Sequence, residues 1–228
     1  MIISEILVKQ KDCPHTETSE KFWDLFILIM HTTYDGSRQN MFSFFYSSDE
    51  SNLENAIKFF ASRSQISNLT VISKQNRIAN LFYSSVPTSM FRKLNNIGFR
   101  VHPVVVHKGI EKWFFINNEN PVRADEINDE NTRVVSIQTI SQKKFFLDYS
   151  AIFYELNLMN VINRISEVET RVISSAIELG YFEWPRKINL SKLGMKLGIP
   201  KSTLSYHFRS IEKKMFQVLM VNNDISKF

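Results

Sequence analysis

The segment "LSKLGMKLGIPKSTLSYHFRSIEKK", residues 190–214, decides how the C-terminal part of the chain folds. Its first half has the leucine spacing of a short helix that begins after Asn189 and ends at Gly198. Its second half has apolar residues at steps of four, three and four, the spacing of a second buried helical stripe. The two stripes are Leu190, Leu193 and Leu197, and Leu204, Phe208, Ile211 and Met215. Helices joined by so short a turn form a helix-turn-helix or an ordinary helical hairpin.

A glycine inside the first of these helices favours the helix-turn-helix. Gly194 costs a mid-helix position about 1 kcal/mol relative to alanine, so its missing side chain is expected to make room for a close neighbour. We expect that neighbour to be the following helix, which crosses at a steep angle.

The outward face of the second helix predicts what it contacts. Placed at 100° per residue, the side chains opposite the apolar stripe are hydroxyls, an aromatic ring and cations, with no acidic group at the centre. Such a face suits the DNA major groove, where side chains meet base edges and phosphates. The predicted DNA-binding residues are Lys201, Ser202, Thr203, Ser205, Tyr206, Arg209 and Lys213, with Arg186 and Lys187 in the preceding connector on phosphates.

A further helix precedes this pair. Ser166 and Glu169 have the spacing of a capping box, and a stripe follows that ends before Gly180. The stripe consists of Val168, Val172, Ala176 and Leu179.

The whole stretch "EVETRVISSAIELGYFEWPRKINLSKLGMKLGIPKSTLSYHFRSIEKKMF" resembles the helix-turn-helix of archaeal bacterio-opsin-activator-type regulators. The resemblance covers about the last quarter of the chain, and it implies a transcriptional regulator that binds promoter DNA. The sequence departs from the family pattern at Gly194, where alanine is more common, and at Pro200, where a capping serine or threonine is common.

The charge distribution agrees with a DNA-binding C-terminus. The net charge of +5 resides entirely from Arg164 onward, and residues 1–163 are balanced. A basic module beside a neutral one is typical of a protein that binds a polyanion with one of its modules. A charged face that only contacts solvent would give the same charge distribution.

Composition narrows the class of protein. With 228 residues, 43% of them hydrophobic, the chain has enough apolar side chains for a packed core. The single Cys13 excludes an intrachain disulfide framework, and the apolar window "WDLFILIMH" is far shorter than the roughly 20 residues of a membrane span. We therefore expect a cytoplasmic protein without membrane contact.

Residues 1–140 alternate short strands and helices in the order βαββαβ, which then recurs from "RIANLFYSS" onward. This order predicts an α+β fold with two tandem ferredoxin-like, ACT-like units, followed by a linker helix and an all-α helix-turn-helix domain. Such modules suggest a small-molecule effector bound where the units meet. The predicted domains are 1–140, 141–164 and 165–228.

The same region offers little catalytic chemistry. Cys13, His15, His102 and His107 are conceivable metal ligands, but isolated histidines on strands are more often structural. There is no phosphate-binding glycine loop, and nucleophile and base candidates are lacking. We expect no cofactor, no metal and no enzymatic activity.

The linker carries a heptad-like stripe that predicts a helix seam. Its members are Phe145, Tyr149, Ile152, Leu156 and Met159. The seam either joins two copies of the chain as a homodimer, which we favour, or packs on the chain's own N-terminal domain.

Three functions remain open from sequence alone. The first is an effector-responsive DNA-binding regulator, the second a transcription or chromatin adaptor whose helix-turn-helix binds protein, and the third an enzyme fused to a DNA-targeting module.

Overall fold

The computed structural model describes residues 1–118 and 120–221, with side chains to residue 218. The chain divides into two compact units, Met1–Ser150 and Ala151–Phe228. The last seven residues of the predicted 165–228 domain lie outside the described residues. Within the described part of the chain, no helix is both long enough and apolar enough to cross a membrane.

The elements follow the predicted order closely. The strands are β1 (Ile2–Gln10), β2 (Phe26–Tyr34), β3 (Gln39–Tyr46), β4 (Ile66–Gln75), β5 (Ile78–Ser85), β6 (Phe99–His107), β7 (Ile110–Asn117) and β8 (Thr132–Thr139). The helices are α1 (Pro14–Lys21), α2 (Glu50–Ala61), α3 (Ser89–Leu94), α4 (Ala124–Ile127), α5 (Gln142–Arg164), α6 (Glu167–Glu178), α7 (Leu190–Leu197) and α8 (Lys201–Val221). A mixed α+β chain with a helical C-terminal region is confirmed.

The strands of the first unit form one antiparallel sheet in the order β4-β5-β3-β2-β6-β7-β1-β8. In a self-contained ferredoxin-like unit, β1 would lie between β3 and β4. Instead β5 occupies that position, and β1 lies between β7 and β8. The prediction of two separate tandem units is therefore not confirmed, because the first strand of each half completes the other half.

Alternation along the strands gives the sheet two different faces. Trp113 and Phe115 of β7 point into the main core, where Phe45 and Phe60 also lie. Phe114, between them, points to the opposite face and meets Phe145 of α5, with ring centroids 5.2 Å apart. The helices α1 and α2 thus cover one face, and the start of α5 covers part of the other.

The helices of the second unit begin and end where the sequence predicts. The Ser166 hydroxyl accepts from the Glu169 amide, and the Glu169 carboxylate accepts from the Ser166 amide at 2.8 Å. The Asn189 side chain accepts from the Lys192 amide at 2.9 Å at the start of α7. Gly198 ends α7 with a φ of +65°, a conformation that glycine adopts without a steric penalty.

The core of this unit confirms most of the predicted apolar stripes. Its fully buried members are Val172, Ala176, Leu193 and Leu204, with Ile188 also buried. The prediction of burial is wrong for two stripe residues, Val168 and Met215, which are each 43% exposed. Val168 is the first residue of its stripe, and Met215 is the last residue of its stripe. Val218, one turn beyond Met215 on α8, is buried instead.

Gly194 makes the close approach that its position predicts. A Cβ built there would lie 2.7 Å from the Ile199 carbonyl oxygen and 3.8 Å from Cδ2 of Leu204. The tightest neighbour is thus the backbone of the α7–α8 turn, and the crossing helix α8 lies just behind it.

Candidate nucleic-acid interface

The outward face of α8 is open to solvent, as the helical spacing predicts. The Tyr206 side chain is 69% exposed, while Leu204 and Ile211 on the opposite side are buried. The other exposed candidates on this helix are Lys201, Ser202, Thr203, Arg209 and Lys213, and Ser205 is half-buried. Glu212 is the one acidic residue of α8, and it lies about 120° around the helix from Tyr206.

Part of this face forms one continuous surface. The candidates Tyr206, Arg209 and Lys213 line it together with three residues that were not among the predicted contacts: Ser210, Lys214 and Gln217. Steps of four from Tyr206 lead to Ser210 and Lys214, so helical spacing alone contains the signal for two of the three. The surface carries three cations and no acidic side chain.

The connector between α6 and α7 is fixed against α8 by aromatic stacking. Tyr181 and Phe208 stack with ring centroids 5.1 Å apart and an interplanar angle of 12°. The Arg186 guanidinium lies 4.7 Å from the centre of the Tyr181 ring. Lys187 is exposed and pairs with Glu183 at 2.7 Å, an exposed pair that contributes little stability. Both connector cations remain accessible to a phosphate.

A buried carboxylate joins α6 to α8 beneath the basic surface. Glu169 is 4% exposed, and its Oε2 accepts from Lys214 Nζ at 2.5 Å. Burial alone would raise the pKa of Glu169, but hydrogen bonds from Lys214, Ser210 and Ser166 lower that pKa to about 2. The carboxylate is therefore charged at neutral pH and holds Lys214 at the edge of the surface.

The predicted dimer seam on α5 lies partly against the sheet of its own chain. Phe145 stacks on Tyr149, and the Tyr149 hydroxyl donates to the His102 carbonyl at 2.7 Å, so these two residues contact the sheet of their own chain. Ile152 is buried, and Leu156 and Met159 are half-buried. The large exposed apolar side chains of this helix lie mostly on the other side; they include Phe146, Leu147, Tyr154 and Leu158.

The four conceivable metal ligands lie in the first unit and do not form a cluster of three or more ligand-type side chains among the described residues. Cys13 Sγ lies 3.3 Å from His15 Nδ1, and His15 Nε2 bonds the Tyr83 hydroxyl. His102 meets Thr32, and His107 meets the Leu25 carbonyl. Each of these three histidines is thus engaged in hydrogen bonding within the fold.

Two family models match the chain. One describes an N-terminal domain named after HVO_2525 and matches residues 3–133, more than half of the chain. The other is described as an HTH DNA binding domain and matches residues 165–217, the range that contains α6, α7 and most of α8. No curated protein matches the sequence.

Proposed function

The chain belongs to the HVO_2525 family and carries a DNA-binding domain of the archaeal bacterio-opsin-activator type, and on this premise we propose that it is a sequence-specific, homodimeric transcriptional regulator that responds to a small effector. The helix-turn-helix match indicates a DNA-binding transcription regulator rather than an enzyme.

The basic, acid-free surface of α8 is the observation that carries the proposal of sequence-specific binding. A recognition helix places its outward side chains in the major groove. Tyr206 and Arg209 are assigned to base edges, with Ser202, Thr203 and Ser205 near the helix start. Arginine can form two hydrogen bonds to guanine, and serine or threonine can bond any base.

Four further cations of the domain are assigned to phosphates. Lys201 and Lys213 lie at the margins of the outward face, and Arg186 and Lys187 lie on the connector that Tyr181 holds against α8. Phosphate contacts fix the position of a protein on the duplex without reading its sequence.

A second copy of the chain completes the proposed binding unit, since regulators of this kind read two half-sites about 34 Å apart. The predicted seam contributes Ile152, Leu156 and Met159. Its first two residues, Phe145 and Tyr149, already contact their own sheet, so we propose that Leu156 and Met159, in the later part of the seam, form the centre of the interface. Burial of these side chains in a dimer removes apolar surface from water.

Selection from a random duplex pool with the full-length protein tests the proposed function. We expect enrichment of an inverted repeat with half-sites one helical turn apart and affinity that falls steeply with salt. The double variant Arg209→Ala/Lys213→Ala should enrich nothing, while Lys143→Ala, an exposed change at the start of α5, should behave as the parent protein does.

An absence of enrichment at low salt contradicts sequence-specific binding. In that case, the adaptor function, in which the same surface of α8 meets a protein, takes its place.

A further inference from the structure

The basic surface of α8 extends well beyond the first turns of the helix. Its lining begins at Tyr206 and ends at Gln217, whereas α8 itself begins at Lys201. At 1.5 Å per residue, the stretch from Tyr206 to Gln217 covers about 16 Å of the helix axis. The surface thus lies along the middle and the second half of α8.

Gln217 is aligned with Tyr206 on the outward face of the helix. At 100° per residue, the step between them amounts to three full turns and about 20°. Both side chains are exposed, whereas Ile211 and Val218 on the inner side of this stretch are buried. Gln217 therefore continues the face on which the predicted DNA contacts lie, one turn beyond the last of them, Lys213.

The polar groups of this surface differ in whether the protein already engages them. Lys214 donates to the Glu169 carboxylate, and Ser210 bonds the same carboxylate. By contrast, Arg209, Lys213 and Gln217 make no hydrogen bond or ion pair within the part of the chain that the structure describes. These three side chains are free to meet a ligand.

The chemistry of the Gln217 amide suits a base edge better than a phosphate. A glutamine amide has donor and acceptor atoms side by side, and it can form two hydrogen bonds with adenine in the major groove. A phosphate offers acceptors only, and it forms its stronger hydrogen bonds with charged donors. A neutral amide at the end of a row of cations is therefore expected to meet a base.

A helix presents a surface of this length to DNA when it lies along the major groove. The third helix of homeodomains docks in this way, and an asparagine on it pairs with adenine. Gln217 lies about 24 Å along the axis from Lys201, so a helix that entered the groove with its N-terminal end alone would hold this amide away from the bases.

We propose that α8 lies lengthwise in the major groove and that Gln217 reads an adenine, with Nε2 donating to N7 and Oε1 accepting from the N6 amino group. Arg209 and Gln217 are separated by about 12 Å of helix axis, which corresponds to about two to four base pairs. Each half-site should contain a G·C pair and an A·T pair at this separation. The inference rests on the proposed function, because it names a base that the same surface recognises.

Selection from a random duplex pool with the full-length Gln217→Ala variant tests the assigned contact. Gln217 is exposed and alanine is a good helix former, so the melting temperature should not fall. The variant should enrich the half-site of the parent protein with one A·T position made degenerate, and it should bind the preferred duplex about tenfold more weakly. Gln142→Ala, an exposed change at the start of α5, should enrich the parent sequence.

A change in the DNA identifies the atom that is read. Replacement of the selected adenine by 7-deazaadenine removes the N7 acceptor and keeps the Watson–Crick pair. The affinity of the parent protein should fall about fivefold, because one hydrogen bond is lost. The affinity of Gln217→Ala should not change, since this variant no longer makes the contact.

The proposal is overturned if Gln217→Ala enriches the same half-site as the parent protein, or if 7-deazaadenine weakens both proteins equally. Either result leaves the proposed function intact, because the parent protein still selects a sequence. A parent protein that enriches no sequence rejects the proposed function and this reading role together.

Discussion

Lys214 of α8 donates to the buried carboxylate of Glu169 on α6, with Nζ 2.5 Å from Oε2. Glu169 also accepts from the Ser166 amide at the start of its own helix. One carboxylate thus caps α6 and fixes α8, whose outward face carries the proposed DNA contacts. The orientation of the basic surface depends on a group that lies beneath it.

Replacement of this carboxylate should destabilise the helical unit. Glu169→Gln removes the charge that pairs with Lys214, and hydrogen bonds to charged groups contribute about 1.5–3 kcal/mol each. We expect the free energy of unfolding of this unit, measured by hydrogen exchange of the α6 and α8 amides, to fall by about 1–3 kcal/mol. Glu178→Gln, an exposed change on the same helix, is the matched control, and equal losses in the two variants would contradict the assignment.

The same carboxylate makes the stability of this unit depend on pH. The pKa of Glu169 is about 2 in the folded chain, below its usual value near 4.5. The stabilisation is therefore complete above the unfolded-state pKa and is lost as pH falls from about 4.5 towards 2. Acid titration followed by hydrogen exchange should show this loss in the parent protein and a flatter profile in Glu169→Gln.

Gly194→Ala should destabilise the chain although alanine is the better helix former. The gain of about 1 kcal/mol in helix propensity is opposed by a Cβ only 2.7 Å from the Ile199 carbonyl, a backbone atom that cannot rotate away. Thermal unfolding should show a lower melting temperature of the helical unit. A higher melting temperature would mean that the α7–α8 turn shifts easily.

The exchange of β1 and β5 predicts that the first half of the sheet cannot fold by itself. A fragment of residues 1–75 lacks both partners of β1 and the neighbour that joins β3 to β4. By circular dichroism it should be unfolded, whereas residues 1–150 should fold cooperatively. A folded 1–75 fragment would show that two independent units exist after all.

Dimerisation should depend on the later part of the predicted seam on α5. Leu156 and Met159 are half-buried in the single chain, so Leu156→Asp and Met159→Asp should convert a dimer into a monomer, whereas Tyr154→Asp, on the opposite and exposed side of the helix, should not. Light scattering at micromolar concentration measures this, with Lys143→Asp as the control. A monomeric parent protein, or a dimer that survives both changes, would contradict the proposed interface.

Local signals in the sequence predict most elements of this chain. The caps at Ser166 and Asn189 and the stop at Gly198 each depend on a few neighbouring residues, so spacing alone locates them. Strand exchange depends on pairing between residues more than 100 positions apart, such as Ile6 with Trp113. The apolar patterns of strands β1 and β5 are compatible with either half of the sheet. The sequence alone therefore does not predict which half each strand completes.

The same contrast between local and long-range signals holds for the functional surface and the interior of the sheet. The outward face of α8 follows from helical periodicity, and Tyr206 and Arg209 are exposed as that periodicity requires. A small polar cavity lined by Gln10, Gln39 and Arg100 is formed by three strands that only the sheet order brings together. A buried glutamine or arginine on a strand resembles a surface residue in the sequence, so no local pattern identifies this cavity.

We propose that α8 reads the DNA sequence and does more than contact the DNA backbone. Arg209→Ala should cost about 1–3 kcal/mol on the preferred duplex and much less on a random one, since a base contact carries sequence information. Lys187→Ala should weaken both complexes alike and reduce the salt slope by about one. Circular dichroism must first show that both variants are folded.

Fluorescence anisotropy of the two variants and the parent protein, on preferred and random duplexes over a salt series, is the most direct measurement. Arg209→Ala should lower the ratio of specific to random affinity, and Lys187→Ala should leave this ratio unchanged. An equal loss on every sequence for Arg209→Ala would contradict the reading role, and no loss for either variant would contradict DNA binding by this surface.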